Sequence, residues 1–192
     1  MEVQIMVTNN NEDMRVKRTK ENIKRAFAEM ICEMDYEAIT VKELTDRAGI
    51  NRKTFYLHYP TLDDLLREMQ NEMAQNFINR TKNFKRPQDM DKITKEFFFT
   101  CEELGELGER ITCSGNYQYI SRRITSNILN TAWSKDNRNP YIQNLIKTFV
   151  SQSTLELYKQ WISDGKVIPL EDMIKITTEL ICRGVNDIEK RI

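Results

Sequence analysis

The chain has 192 residues, enough for one large or two small domains, and its 40% of apolar residues suffices for a buried core. Twenty-nine basic and 29 acidic residues cancel, which excludes a global positive field that would drive the chain onto nucleic acid or an anionic membrane. Six glycines and four prolines, with apolar residues recurring three and four positions apart, predict an all-α fold.

The sequence also lacks the signals of several protein classes. Four widely spaced cysteines and a single histidine predict reduced thiols and no bound metal. There is no secretory signal and no apolar run approaching about 18 residues, so we expect a cytoplasmic protein with no membrane association. No phosphate-binding loop and no nucleophile elbow occur, so we expect neither enzymatic activity nor a cofactor.

The first predicted elements are a flexible leader over residues 1–14 and a helix from Arg15 to Met34. One apolar face supports the helix. That face carries Ile23, Phe27, Met30, Ile31 and Met34. Ten basic and seven acidic residues lie between positions 15 and 60, and six of the basic ones fall between Arg15 and Arg25. This positive arm could lie along a phosphate backbone or enter a minor groove.

Two short helices are predicted next, joined by a tight turn. Thr40 and Glu43 have the spacing of a capping box that begins a helix. Gly49 can adopt the left-handed backbone that ends it, and Asn51 is a favoured N-cap for the following helix. Pro60 stops that helix after about eight residues, because proline cannot continue a helix. The pattern predicts a helix-turn-helix.

The second of these helices has the character of a recognition helix. Phe55 and Tyr59 are four residues apart and can anchor one face in the core. The polar side chains between Gly49 and Pro60 are then free to point outward toward a major groove. Arginine can hold guanine through two hydrogen bonds, and lysine, threonine and tyrosine can reach phosphate oxygens.

Over residues 15–70 the sequence resembles the N-terminal domain of TetR-type regulators. The resemblance is carried by Arg18-Thr19-Lys20, Ile39 to Leu44, Ala48-Gly49-Ile50, Lys53 to Pro60 and Leu65-Leu66. It implies DNA contacts from the start of helix two and from helix three. The positions matched are Thr40, Lys42, Arg52, Lys53, Thr54, Tyr56 and His58, and we add Arg18 and Lys20 from the arm.

Two positions depart from the pattern of that family. Leu62 stands where many members have a phosphate-contacting lysine, which predicts that this anchor is absent. Asp35 stands where a glycine often follows helix one, and we expect a left-handed backbone there, which aspartate tolerates.

The remaining chain is expected to follow the order of that family. Residues 15–61 form the DNA-binding domain, 62–83 a connecting helix, and 84–192 a helical domain for ligand binding and dimerisation. Helices are predicted near 90–104, 117–133, 141–162 and 170–188, with an irregular stretch around Gly105, Gly108 and Gly115. The last two helices would form a four-helix dimer interface, as the resemblance implies, or else simply fill the core of one subunit.

A small-molecule site is predicted less directly. Phe97, Phe98 and Phe99 are consecutive and point to three sides of one helix, so one of them could line a cavity. The alternative is that these aromatics are ordinary core residues. An apolar site with polar groups would combine Phe98, Cys101, Tyr117 and Trp133.

The resulting hypothesis is a ligand-responsive transcriptional regulator, most simply a repressor. It would bind a palindromic double-stranded DNA operator as a homodimer and respond to a small molecule that the sequence does not identify. One alternative is an interaction protein or co-regulator whose helical bundle binds a protein partner. Another is a small-molecule-binding or enzymatic domain with a vestigial helix-turn-helix.

Overall fold

A computed structural model describes residues 2–85, 88–113 and 139–189, with side chains described from position 14 to position 183 within those ranges. Over these residues the backbone forms eight α-helices, one short 3-10 helix at Tyr36–Ala38 and no strand, which confirms the all-α prediction. The helices are α1 (Glu2–Glu33), α2 (Val41–Ala48), α3 (Arg52–His58), α4 (Leu62–Thr81), α5 (Met90–Glu103), α6 (Gly105–Cys113), α7 (Pro140–Ser163) and α8 (Leu170–Glu189).

The chain divides into two compact units, Met1–Met69 and Gln70–Ile192. Unit one holds α1, α2, α3 and the first part of α4. Its core is built from the apolar faces of these helices, as the helical spacing predicts. The fully buried side chains include Ile23, Phe27, Ile31, Leu44, Phe55 and Leu65.

Helix α1 differs from its prediction at both ends. Its backbone begins at Glu2 rather than near Arg15, and no glycine or proline interrupts the segment between them. At the other end, the left-handed backbone predicted for Asp35 is wrong. Asp35 is extended, with φ −72° and ψ 149°, a conformation that aspartate adopts without strain. The chain leaves α1 through this residue into the 3-10 helix.

In unit two the predicted helices over 90–104, 141–162 and 170–188 are confirmed as α5, α7 and α8. The predicted helix over 117–133 lies outside the described residues. The irregular stretch predicted around Gly105, Gly108 and Gly115 is confirmed at Gly105, where φ is 53° and α5 gives way to α6. It is wrong at Gly108, which lies inside α6, and Gly115 lies outside the described residues. Gly108 serves close packing: a Cβ there would lie 2.7 Å from the carbonyl oxygen of Cys101 and 2.8 Å from the Cβ of Leu104.

The described residues of unit two form two hydrophobic clusters. One contains Phe77, Met90, Ile93, Ile146, Val150 and Ile181. The other contains Phe98, Cys101, Tyr158, Trp161 and Met173. Helices α5, α7 and α8 contribute to both clusters, so they form the frame of this unit. In the described part of the chain, none of the helices combines the length and apolar character that a membrane crossing requires.

The broad apolar faces predicted for α7 and α8 are split by the structure. Ile146 and Val150 of α7 are buried, whereas Leu145 and Phe149 beside them are 71% and 46% exposed. On α8, Ile181 is buried and Leu180 is 56% exposed. Both helices therefore pack into the core of unit two and also present apolar side chains outward.

Candidate nucleic-acid interface

The start of α2 is fixed by a cap at Thr40. The backbone N–H of Glu43 donates to the Thr40 hydroxyl oxygen at 3.2 Å, and that hydroxyl donates to the Glu43 carboxylate at 2.8 Å. These two bonds confirm the predicted capping box. In this box, the carboxylate of Glu43 accepts from the side-chain hydroxyl of Thr40. Lys42, two positions after Thr40, is exposed like Thr40, so both side chains stand at the solvent-facing start of the helix.

The turn between α2 and α3 has the geometry that the sequence predicts. Gly49 is left-handed, with φ 68° and ψ 35°, and ends α2. Asn51 then caps α3, because its side-chain oxygen accepts from the backbone N–H of Thr54 at 2.8 Å. Only three residues separate the two helices, so the direction of α3 is set by local bonds.

Helix α3 has one buried and one exposed face. Phe55 and Tyr59 are 0% and 2% exposed, which confirms them as the anchors of the helix. Tyr56 is 53% exposed, and Arg52 and Lys53 are exposed beside it. These three side chains form a short outward surface with one aromatic ring and two cations. An arginine and a tyrosine one helical turn apart could reach base edges and phosphates together.

The other predicted residues of α3 are less available. Thr54 is half-buried and its hydroxyl donates to the Asn51 side-chain oxygen at 3.0 Å, so it is already engaged in the cap. His58 is half-buried at the end of the helix, with its ring centroid 6.4 Å from that of Tyr59.

Sequence reasoning missed Leu57, which is 74% exposed on α3. It lies one turn from Lys53 on the same face, a position that the four-residue helical spacing would have revealed. An exposed apolar side chain at this place has the chemistry to contact the methyl group of thymine.

The two residues predicted from the positive arm have different environments. Arg18 is exposed on α1. Lys20 is half-buried: its Nζ lies 2.9 Å from Oε2 of Glu68, on α4, and 5.2 Å from the ring centroid of Tyr59. The structure therefore does not bring Lys20 together with the exposed cations. The sequence gives no sign of the ion pair between Lys20 and Glu68, because these residues are 48 positions apart.

Three ion pairs among the described side chains connect the helices of unit one, two through Glu68 and one through Glu33. The carboxylate of Glu68 accepts from Lys20, from Lys24 at 2.7 Å and from the hydroxyl of Tyr59 at 3.1 Å. Burial opposes its negative charge, but these bonds outweigh burial and lower the pKa of Glu68 to about 2. Near the ends of α1 and α2, Arg47 donates to both oxygens of Glu33 at 2.6 Å.

The candidate ligand residues lie in unit two. Phe98 is 0% exposed and packs edge-on against Tyr158 and Trp161, with ring centroids 5.6 and 6.1 Å away. Cys101 is buried in the same cluster, and burial raises the pKa of its thiol to about 12. The structure therefore brings Phe98 and Cys101 together. Tyr117 and Trp133 lie outside the described residues.

Among the residues with described side chains, no group of three histidine, cysteine, aspartate or glutamate side chains is arranged to hold a metal ion. All four cysteines are free thiols, as predicted: Cys101 is buried, Cys32 and Cys182 are half-buried, and Cys113 is exposed.

Comparison with known sequences finds similarity in unit one. Residues 24–69 match the model of the bacterial regulatory proteins of the tetR family. The chain is also 37% identical over 68 residues to YxbF, an uncharacterized HTH-type transcriptional regulator of Bacillus subtilis (strain 168). That match spans 35% of this chain and 18% of YxbF, so it covers less than a fifth of that relative.

Comparison with solved structures extends over most of the chain. A TetR transcriptional regulator from Streptococcus agalactiae 2603V has a TM-score of 0.69 and 21% identity, covering 90% of this chain and 98% of that one. NalD, the secondary repressor of the MexAB-OprM multidrug efflux pump in Pseudomonas aeruginosa, has a TM-score of 0.68 and 15% identity, covering 90% and 97%. At these identities the likeness shows a shared fold.

Proposed function

We propose that this chain, which belongs to the TetR family of bacterial regulatory proteins, is a homodimeric repressor that reads a palindromic operator with α3 and releases it when a small molecule binds in unit two. The observation that carries the proposal is the two-faced α3: Phe55 and Tyr59 are buried while Arg52, Lys53 and Tyr56 are exposed. A helix-turn-helix places such a helix in the major groove.

The roles of the exposed residues follow from their chemistry. Arg52 at the first position of α3 can form two hydrogen bonds with a guanine, which would select sequence. Lys53 and Lys42 can neutralise phosphates, which would add affinity for any duplex. The hydroxyl groups of Thr40 and Tyr56 would bind the phosphate backbone of the DNA. His58 would place its ring at the edge of the same surface.

Pairing of two chains is proposed through α7 and α8. Exposed apolar side chains recur at four-residue steps on α7, at Tyr141, Leu145 and Phe149, and continue on α8 at Ile176 and Leu180. Helices α7 and α8 pack against each other, so the exposed residues of both can contribute to one surface. Two such helices from each subunit would bury this surface in a four-helix arrangement. A twofold axis would then repeat α3 at about 34 Å, the spacing of successive major grooves.

An effector site is proposed in unit two, around Phe98 and Cys101. These residues and Tyr158 supply an apolar wall with a thiol and a hydroxyl, the composition of a small-molecule site. Tyr117 and Trp133 are proposed to complete it. Ligand binding would favour release from DNA only if the ligand prefers one of two conformations of the dimer. We propose no enzymatic activity, because regulators of this family are generally not enzymes.

The test is a fluorescence titration of the full chain with a duplex from its own promoter region, at moderate and increasing salt. Arg52→Ala should weaken binding to the cognate duplex by about 1 to 3 kcal/mol and relax discrimination between sequences. Lys53→Ala should weaken binding to all duplexes evenly and lower the salt slope by about 1. Lys175→Ala, at an exposed position of α8, is the matched control and should bind like the wild type.

Two outcomes would contradict the proposal. If Arg52→Ala and Lys53→Ala bind like the wild type, α3 does not read DNA.

The dimer is checked by the stoichiometry of the same titration, which should reach two chains per operator. It is also checked by sedimentation of Leu180→Asp, which should be monomeric. A monomeric wild type would instead favour a protein partner on the α7 and α8 surface.

A further inference from the structure

Glu68 connects three helices of unit one through a single carboxylate. Its oxygens lie 2.9 Å from Nζ of Lys20 and 2.7 Å from Nζ of Lys24, both on α1. The hydroxyl of Tyr59, the residue that ends α3, donates to the same carboxylate at 3.1 Å. The ammonium of Lys20 also lies 5.2 Å from the centroid of the Tyr59 ring, within the range of a cation–π contact.

These contacts use two charges that would otherwise belong to the positive arm. Lys20 and Lys24 are two of the six basic residues between positions 15 and 25. Their side chains are only 33% and 20% exposed, and both face one half-buried carboxylate. To bind a phosphate, either lysine would have to leave Glu68 and uncover it. By contrast, the other four basic residues of the arm, Arg15, Lys17, Arg18 and Arg25, are exposed.

We infer that Glu68 is a positioning residue for DNA binding: it keeps Lys20 and Lys24 from the phosphates and uses them to hold Tyr59 and the end of α3 in place. The inference rests on the proposed function. It assigns the phosphate contacts of α1 to the exposed basic residues and makes the paired lysines part of the scaffold beneath the recognition helix. The low pKa of Glu68 keeps its carboxylate ionised at the pH of any binding measurement.

The salt dependence of DNA affinity distinguishes lysines that contact phosphates from lysines that do not, because each phosphate contact by a cation releases counterions. The slope of log Kobs against log salt changes by about 0.9 for each phosphate neutralised. Lys20→Gln should leave this slope unchanged, since Lys20 contacts no phosphate, whereas Arg18→Gln should lower its magnitude by about 0.9 per subunit. The two substitutions remove the same charge from the same helix two positions apart and are therefore a matched pair.

Replacement of Glu68 should change the salt slope in the opposite direction. Glu68→Gln removes the charge that holds both lysines, while its amide oxygen can still accept from the Tyr59 hydroxyl. The slope should become steeper, by up to about 1.8 per subunit if both lysines reach phosphates. Because α3 is then less firmly held, the ratio of affinities for the promoter duplex and for a scrambled duplex of equal length should fall. Glu21→Gln, which removes an exposed carboxylate from α1, is the control and should change neither quantity appreciably.

The experiment is fluorescence anisotropy of the full chain with the promoter duplex and the scrambled duplex over a salt series, with circular dichroism to verify folding of each variant. Equal slope losses for Lys20→Gln and Arg18→Gln would overturn the inference, and so would a folded Glu68→Gln with the wild-type slope and ratio. If Glu68→Gln does not fold, the Lys20→Gln and Arg18→Gln pair decides alone. Failure of the wild type to bind either duplex would contradict the proposed function instead.

Discussion

Among the described side chains, three charged groups meet an aromatic ring in a cluster of each unit, and the two clusters have opposite composition. In unit one, the ammonium groups of Lys20 and Lys24 share the carboxylate of Glu68 beside Tyr59. In unit two, the carboxylates of Glu102 and Glu109 share the ammonium of Lys166, at 2.9 and 2.7 Å. That ammonium lies 5.3 Å from the ring centroid of Trp161.

The difference shows how the same type of contact serves two purposes. The cluster of unit one leaves a surplus positive charge in the unit proposed to meet DNA, and it holds the end of α3. The cluster of unit two leaves a surplus negative charge and fixes the turn between α7 and α8. Lys166 has a left-handed backbone there, with φ 57°, which costs energy for a residue other than glycine. Its three contacts compensate for that strain.

The largest expected effect comes from removing the aromatic ring of unit two. Trp161 is 4% exposed, contacts the rings of Phe98 and Tyr158, and donates from Nε1 to the carbonyl of Ile168 at 2.6 Å. Trp161→Ala should lower the free energy of unfolding by about 3 to 5 kcal/mol, because it leaves a cavity and uncovers the Lys166 cluster. Urea unfolding followed by circular dichroism measures it.

A matched control lies close by in the turn. Val167 is 81% exposed, so Val167→Ala should change the free energy of unfolding by less than about 0.5 kcal/mol. A loss of similar size in both variants would mean that the turn itself, and not the buried ring, is what stabilises this part of unit two.

These clusters also mark the limit of what the sequence could predict. The caps of Thr40 and Asn51 and the left-handed Gly49 were predictable, since each depends on residues within five positions of one another. Glu68 and Lys20 are 48 positions apart, and Lys166 and Glu102 are 64 apart. Their pairing depends on tertiary packing, so periodicity does not reveal it. By charge and position alone, Lys20 is indistinguishable from the exposed cations of the arm.

The packing role of Gly108 was hidden for the same reason. In the sequence, glycines at 105 and 108 indicate a break in the helix. In the structure, the helix does break at Gly105, whereas Gly108 lies inside α6 and allows close approach to the carbonyl of Cys101 on α5. For α7 and α8, the sequence predicts which positions are apolar but not which of them are buried. Periodicity identifies Leu145 and Ile146 as apolar positions, for example, but it does not show which of these two neighbours faces the core.

An intermediate effect should separate the two clusters by pH. The pKa of Glu68 is lowered to about 2 from a usual value of 4.5, so its stabilisation is fully present above pH 4.5 and is lost as the pH falls toward 2. Burial opposes the charge of Lys166, but bonds to Glu109 and Glu102 outweigh it and raise its pKa above 10.5. The stabilisation by Lys166 is therefore fully present below pH 10.5 and is lost above its raised pKa.

The measurement is the difference in unfolding free energy between the wild type and each of two variants across pH. For Glu68→Gln the difference should be about 1 to 2 kcal/mol near pH 6, allowing for solvent screening, and should vanish between pH 4.5 and 2. For Lys166→Met it should be constant from pH 6 to 10 and shrink in stronger alkali. A Glu68→Gln difference that persists unchanged at pH 2 would show that the charge of this carboxylate does not stabilise unit one.

The smallest expected effect concerns a local cap, which sharpens the contrast with the long-range clusters. Asn51 accepts from the backbone N–H of Thr54 at 2.8 Å and from its hydroxyl at 3.0 Å. Asn51→Ala should cost about 1 kcal/mol of unfolding free energy, because the first turn of α3 loses its acceptor, while Asn51→Ser should retain most of it. Since α3 is only seven residues long, fraying of its first turn should also displace Arg52 and so reduce DNA affinity. Glu68→Gln, by contrast, acts from the opposite end of the same helix.

Thermal unfolding measures the loss of stability, and the promoter titration measures the loss of DNA affinity. An Asn51→Ser variant as impaired as Asn51→Ala would show that the cap is not what orders α3.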